Sequence, residues 1–266
     1  MKDKYGLKGF LKHYGFKILA VCFWLLLWEL LSIWIGHEIL LAAPTAVLVT
    51  LIGLVGSLDF WQTILFSSLR IILGFLLALF VGSILAICAH NSRPIKELIA
   101  PLMKTIQAMP VASFIILALI WIKAKNLSVL ASFLMVMPLI YSNVSQGLKA
   151  TDEKLLQMAK VFQISRSKKI IAIYIPSVLP YFISAVSVGV GLCWKAGIAA
   201  EVIGIPTGSI GEKLYEAKLY LMTKELFAWT IVIIIISIIF EKAVMMMLQL
   251  FKKDNETQKQ RKTAEE

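Results

Sequence analysis

An all-α, polytopic membrane protein with six transmembrane helices is the fold class this sequence predicts, and three observations predict it. Six stretches each supply about 20 predominantly apolar residues, the length a helix needs to cross a hydrocarbon core. Of the 266 residues, 59% are hydrophobic and 16% charged, with a mean hydropathy of +0.82, an excess that one globular core could not hide. Lysine and arginine are shared unevenly: 20 of the 27 lie in alternate polar segments, at 1–17, 91–104, 149–169 and 242–266. Positive charge accumulates on the cytosolic side of membrane proteins, so both termini and the 149–169 loop of this multi-pass chain are expected in the cytosol. The same distribution answers the net charge of +11 without nucleic acid, because the cations mark topology and meet anionic lipid headgroups.

The first expected span is Phe16–Ile35, preceded by the basic stretch "MKDKYGLKGFLKHYGFK". Its apolar run is longer than the roughly 7–15 residues of a signal-peptide core, so it is expected to be a retained anchor. Residues 44–62 are apolar but broken by glycine and bounded by Pro44 and Asp59, which predicts an outer helix lying in the interface. The remaining spans are expected at Ile64–Ala89, Pro101–Ile122, Leu127–Leu148, Ser177–Ala200 and Leu226–Leu250. Pro110 and Pro138 fall inside two of them and should kink the rods, either to serve a moving structure or as tolerated breaks. The organisation expected is 1–60 as terminus, first span and outer linker, 61–251 as the membrane core, and 252–266 as a disordered polar tail.

The cytosolic segment "TDEKLLQMAKVFQISRSKKIIAIYIP" (151–176) is too polar to span. Leu155, Met158, Ala159 and Phe162 share one helical stripe, with Thr151 placed to cap the start and Asp152 and Glu153 set against the helix dipole. Ser165 can cap a second short helix that Pro176 would stop. Two readings fit the uncovered stripe: a helix lying on the inner leaflet, or a docking helix for a groove on a soluble partner.

Several segments carry a resemblance. The loop resembles the cytoplasmic loop of binding-protein-dependent ABC importer permeases, whose pattern is Glu-Ala-Ala, three residues, Gly, nine residues, Ile, one residue, Leu-Pro. Here it reads Gln157-Met158-Ala159, then Gln163, Ile173 and Ile175-Pro176. Residues 67–92, "SSLRIILGFLLALFVGSILAICAHNS", and 101–121, "PLMKTIQAMPVASFIILALIW", are similar to consecutive core helices of the nitrate, sulfonate and taurine branch. "GVGLCWKAGIAAEVIG" (189–204) and "GSIGEKL" (208–214) resemble that branch's Trp…Ala-Glu segment and Gly-rich outer loop. The resemblance implies a permease subunit whose loop is a coupling helix, with Leu155, Gln157, Met158, Ala159, Phe162, Gln163, Ser165 and Arg166 engaging a cleft on a cytosolic ATPase. It further implies two ATPase subunits and an extracytoplasmic solute-binding protein. A single copy has few helices for a two-sided path, so a second copy is expected, although a related partner chain would serve the same geometry.

No G-x-x-x-x-G-K-[ST] cradle occurs in the sequence, so ATP is expected to be bound by the partner, with no cofactor or metal on this chain, which is read as a transport subunit rather than an enzyme. His13, His37 and His90 are dispersed, and Cys22, Cys88 and Cys193 lie in apolar runs without metal spacing. Glu29, Lys195, Glu201 and Glu241 fall within or at the edges of spans, where a charge generally faces a cavity or a partner. Lys195 either pairs or snorkels, or lines the path and attracts an anionic solute; Trp194 and Pro110 are placed on that path with it. Glu201 either braces an outer gate or caps the following loop. The competing class is an ion-gradient-driven secondary transporter or channel, for which the intramembrane charges would be ion sites; a scaffold without a path is a third.

Overall fold

The computed structural model describes residues 7–264, with side chains described at 15–16 and 18–249. Expectations for the first six and last two residues lie outside that range. Among the described residues there is no strand, and the chain is a succession of helices. α1 (Leu7–Ile35) ends at Gly36, whose φ of +68° is a left-handed conformation that glycine adopts at little cost. α2 (Pro44–Val55) begins on a proline, whose missing donor would be unused there, and its 12 residues are too few to span. The outer segment expected over 44–62 is therefore divided. Its last residues belong to α3 (Leu58–Asn91), which carries Asp59 in its first turn, where an acid suits the helix dipole.

The third span does not form as the expected rod over Pro101–Ile122. α4 (Arg93–Ala108) and α5 (Val111–Ala118) meet at 104°, with Pro110 between them rather than inside a helix. A proline ring clashes with a helical residue before it, and Met109 accordingly sits at φ −75°, ψ 128°. Pro138, by contrast, is buried inside α6 (Leu127–Lys149), where packing holds the helix together across the missing donor. Among the described residues five helices are long and apolar enough to cross a membrane, or six if the bent pair is one span.

The loop after α6 forms α7 (Glu153–Val161) and α8 (Arg166–Lys169). Pro176 does not act as the expected stop. A π segment at Ile170–Tyr174 leads straight into α9 (Ile175–Gly204), so the helical backbone runs unbroken from Arg166 to Gly204. Proline cannot donate to the carbonyl four residues back; the wider π turn shifts the ladder, and Pro176 falls in the first turn of α9. α10 (Ile210–Leu219) and α11 (Thr223–Ala264) complete the chain. α11 continues through the tail expected to be disordered: residues 252–264 hold no glycine or proline and many good helix formers, so nothing there ends it.

The chain divides into two compact units, Met1–Trp61 with Lys213–Val232, and Gln62–Glu212 with Ile233–Glu266. In the first, Ala42, Val47 and Ala228 form a buried cluster, and Trp28 packs on Phe227 with ring centroids 5.2 Å apart. Its polar contacts include the ion pairs Lys213–Asp59 at 3.1 Å and Lys224–Glu38 at 2.8 Å. Glu29 finds a polar neighbour, accepting the Thr45 hydroxyl at 3.2 Å.

The second unit is organised by small residues. Gly74, Ala78, Gly82 and Ala86 recur every fourth position of α3, and both alanines are fully buried. A Cβ on Gly82 would stand 2.8 Å from the Met137 carbonyl oxygen, and one on Gly74 would overlap the Val129 carbonyl. Lipid tails are as apolar as leucine, so close backbone approach, rather than a hydrophobic drive, brings α3 onto α6. Gly147 similarly admits Val178 of α9 against α6, and the Ser132 hydroxyl donates to the Cys193 carbonyl at 2.9 Å. Both bonding groups are inside the packing, where an unmade hydrogen bond would be costly.

Candidate functional site

The loop over 151–169 is built from two well-terminated helix ends. Asp152 is the N-cap of α7 and accepts the Lys154 N–H at 2.8 Å. The cap expected of Thr151 is not made: its hydroxyl is buried and donates back to the Gly147 carbonyl at 3.4 Å, finishing α6 instead. At the other end, Ile164 N–H donates to the Ala159 carbonyl at 2.9 Å and Gln163 N–H to the Lys160 carbonyl at 3.2 Å. This paired closure requires a left-handed residue between helix and exit, and Gln163 supplies it with φ +50°. The family pattern has glycine at that place, for which the conformation is free of strain. Ser165 occupies the N-cap position of α8 without a side-chain bond; its carbonyl, rather than its hydroxyl, accepts Lys169 N–H at 3.0 Å.

The stripe read from the sequence is exposed along Leu155, Met158 and Phe162, the last 73% accessible, and Val161 extends it at 78%. Ala159 departs from expectation. It is 3% accessible and turned into the unit, where its small side chain lets α7 lie close. Gln157, Gln163 and Arg166 border an adjoining hollow of about 600 Å³ together with Glu153 and Lys160. The loop thus presents an apolar ridge beside a hollow of mixed lining, where Leu156, Ala159 and Ile164 meet the charged and amide side chains, on backbone fixed at both ends.

A second centre forms around Glu201, which is fully buried. Its Oε2 accepts the Ser67 hydroxyl at 2.7 Å and the Gly211 N–H at 3.3 Å, while Ser67 Oγ accepts the Ile210 N–H at 2.9 Å. One carboxylate oxygen therefore joins α3, α9 and the start of α10. The amide donors at a helix N-terminus carry partial positive charge, which favours an anion there. The Arg70 guanidinium, stacked 3.2 Å from the Phe66 ring centroid, lies within electrostatic range of the carboxylate. The start of α10 is further fixed by Ser209, whose hydroxyl accepts Glu212 N–H at 3.0 Å, while the Glu212 carboxylate accepts Gly208 N–H. This is a Ser-x-x-Glu cap of the kind that satisfies orphan donors reciprocally. Gly208, at φ +78°, makes the turn before it.

Of the residues expected on a path, Lys195 is exposed on α9, on a face away from the buried positions that flank it. Trp194 does not join it. Trp194 is 2% accessible and packs its ring toward Phe240, with centroids 6.3 Å apart, so it is a core residue of the second unit. Pro110 stands at the break between α4 and α5. Sequence reasoning passed over Ser67 and Arg70; an arginine inside an otherwise apolar span was the available signal. Cys193 is buried, and its thiol donates to the Val190 carbonyl at 3.0 Å.

Comparison with known proteins supplies the context. A family model described as the binding-protein-dependent transport system inner membrane component matches residues 78–255. Curated relatives include the putative aliphatic sulfonates transport permease protein SsuC of Bacillus subtilis, 23% identical over 229 residues, spanning 85% of this chain and 83% of that one. The taurine transport system permease protein TauC of Escherichia coli is 24% identical over 220 residues, 80% of each chain. Among solved structures, a crystal structure of an amino acid ABC transporter with histidines covers 72% of this chain and 90% of its own, with a TM-score of 0.51 and 18% identity, a likeness of fold.

Proposed function

This chain belongs to the family of binding-protein-dependent transport system inner membrane components and is a permease subunit, a transport chain rather than a catalytic one; from that premise we propose that it forms the membrane path of an ATP-driven importer for a small anionic solute. The observation that carries the reading is the exposed ridge of Leu155, Met158, Val161 and Phe162 on a helix whose two ends are both closed. Apolar side chains held that way in an otherwise basic loop fit a preformed groove on a soluble partner. The partner is a cytosolic ATPase, which binds and hydrolyses ATP; two of them act on two copies of this chain, and an extracytoplasmic binding protein delivers the solute. Residues 61–251 are the transport core, and both termini face the cytosol. ATPase closure around ATP moves the 151–175 loops and opens the path on alternate sides as rigid bodies.

The relatives named for sulfonates and taurine support a sulfonate-like or comparable oxyanion cargo, and nitrate belongs to the same chemical class. Lys195, exposed on α9, is the cation placed to attract it. The experiment is co-purification: the ATPase is retained by the wild-type chain and lost with Phe162→Asp, while insertion is unchanged. Retention by Phe162→Asp, or gradient-driven uptake by this chain alone in liposomes, would overturn the reading.

A further inference from the structure

A second cavity, of about 650 Å³, is bordered by α8 and by α3, α6 and the start of α9. Its volume falls within the roughly 300–1,000 Å³ of small-molecule pockets. Val144, Leu148, Val178, Leu179 and Phe182, from facing turns of α6 and α9, give it an apolar wall. At one end stand Arg166, Lys169 and His90, with the Asn91 amide beside them, and no acidic residue lines it. The Lys169 ammonium lies 5.6 Å from the Tyr174 ring centroid, and the His90 ring meets the same tyrosine edge-on at 6.1 Å, so Tyr174 holds two of the three basic groups at the rim. Among the described residues, none of these three basic groups makes a salt bridge. Ile170, Tyr174 and Ile175 border the cavity from the π segment and the start of α9, so the backbone irregularity and the opening coincide.

An apolar slot bordered by two unpaired cations, Arg166 and Lys169, and by the His90 imidazole matches an amphiphile with an anionic head. We propose that this cavity holds one anionic phospholipid, its acyl chain along Leu148, Val178 and Phe182 and its phosphodiester accepting from Arg166, Lys169 and His90. A free anion would leave the apolar wall unused, and a zwitterionic lipid would bring its own cation to a basic rim. The cavity shares Arg166 and Lys169 with the hollow beside the ridge, so the lipid would sit against the base of the docking loop. The site is independent of whether that loop binds an ATPase.

The test uses the full chain in mixed micelles with phosphatidylglycerol or phosphatidylcholine bearing a photoactivatable acyl chain, and maps the labelled peptides by mass spectrometry. Phosphatidylglycerol should label residues 144–148 and 175–182 at least fivefold more than phosphatidylcholine, and unlabelled phosphatidylglycerol should compete while inorganic phosphate should not. Arg166→Gln with Lys169→Gln should bring labelling down to the phosphatidylcholine level. Val178→Trp, which fills the slot and keeps the cations, should abolish it for both lipids. Equal labelling by the two lipids in the wild-type chain overturns the proposal, as does labelling only elsewhere. Competition by inorganic phosphate as strong as by lipid would assign the rim to a free anion and overturn it too; these arms need no variant to fold.

Discussion

Replacing Gly211 with alanine tests the Glu201 centre most directly. A Cβ at 211 would overlap the Glu201 carbonyl carbon and its Cβ and would stand 2.5 Å from the Val202 nitrogen. Two of these three atoms are backbone, which cannot swing aside, so the start of α10 must withdraw from α9. Withdrawal stretches the Gly211 N–H bond, already 3.3 Å, beyond bonding range and strains the 2.9 Å bond from Ile210 to Ser67. A lost hydrogen bond to a charged group costs about 1.5–3 kcal/mol. Forcing a methyl into a filled space costs about 1–3 kcal/mol more. Together these reach about 2.5–6 kcal/mol, and at about 2–4 °C per kcal/mol the midpoint of thermal unfolding in detergent should fall by about 10 °C. Gly53→Ala is the control, since nothing lies within 4 Å of a Cβ there and α2 should be unharmed or slightly steadier. A Gly211→Ala protein melting within about 2 °C of wild type would refute the reasoning from close approach.

Further outcomes rest on the same geometry. Glu201→Gln should be mild, because one amide oxygen can take both bonds now made by Oε2, whereas Glu201→Leu strands the Ser67 hydroxyl and Gly211 N–H and should cost about 2–5 kcal/mol, read as lost thermal stability. Gln163→Gly relieves the left-handed residue and should protect the turn between α7 and α8 from limited proteolysis, a gain of about 0.5–1 kcal/mol once the extra freedom of glycine in the unfolded chain is subtracted. Gly82→Leu should prevent α3 from seating on α6 and remove folded protein from detergent extracts, since even a Cβ stands 2.8 Å from the Met137 carbonyl. Lys195→Gln should insert normally and raise the apparent KM for an anionic solute in reconstituted transport by about tenfold or more; unchanged uptake would remove Lys195 from the path.

Periodicity and length carried most of the fold, because a span advertises itself by about 20 apolar residues and a surface helix by its stripe. What the sequence left illegible was set by neighbours. Pro110 and Pro138 look alike as residues, yet one divides two helices at 104° and the other is buried within α6, a difference that packing decides. Pro176 likewise reads as a stop, and only the π turn before it shows how a helix carries on through it. In the 151–169 loop the stripe was legible, but not that Ala159 faces inward or that Asp152 rather than Thr151 caps the start. Glu201 was identified, whereas its partners Ser67 and Gly211 come from segments 134 and 10 residues away, and no local pattern joins them. The Ser209-x-x-Glu212 cap, by contrast, was there to be read.

The unbroken backbone from Arg166 to Gly204 gives the molecule a stiff shaft. At about 1.5 Å per residue its 39 residues reach about 58 Å. One tip roots in the loop beside the ridge, and the other carries Glu201, latched to two other helices. Along the way the ladder is interrupted at the wider turn of Ile170–Tyr174 and again at Pro180, which leaves a carbonyl of α9 without its donor. At the opposite end the same rod is tied by one carboxylate to α3 and to the first turn of α10.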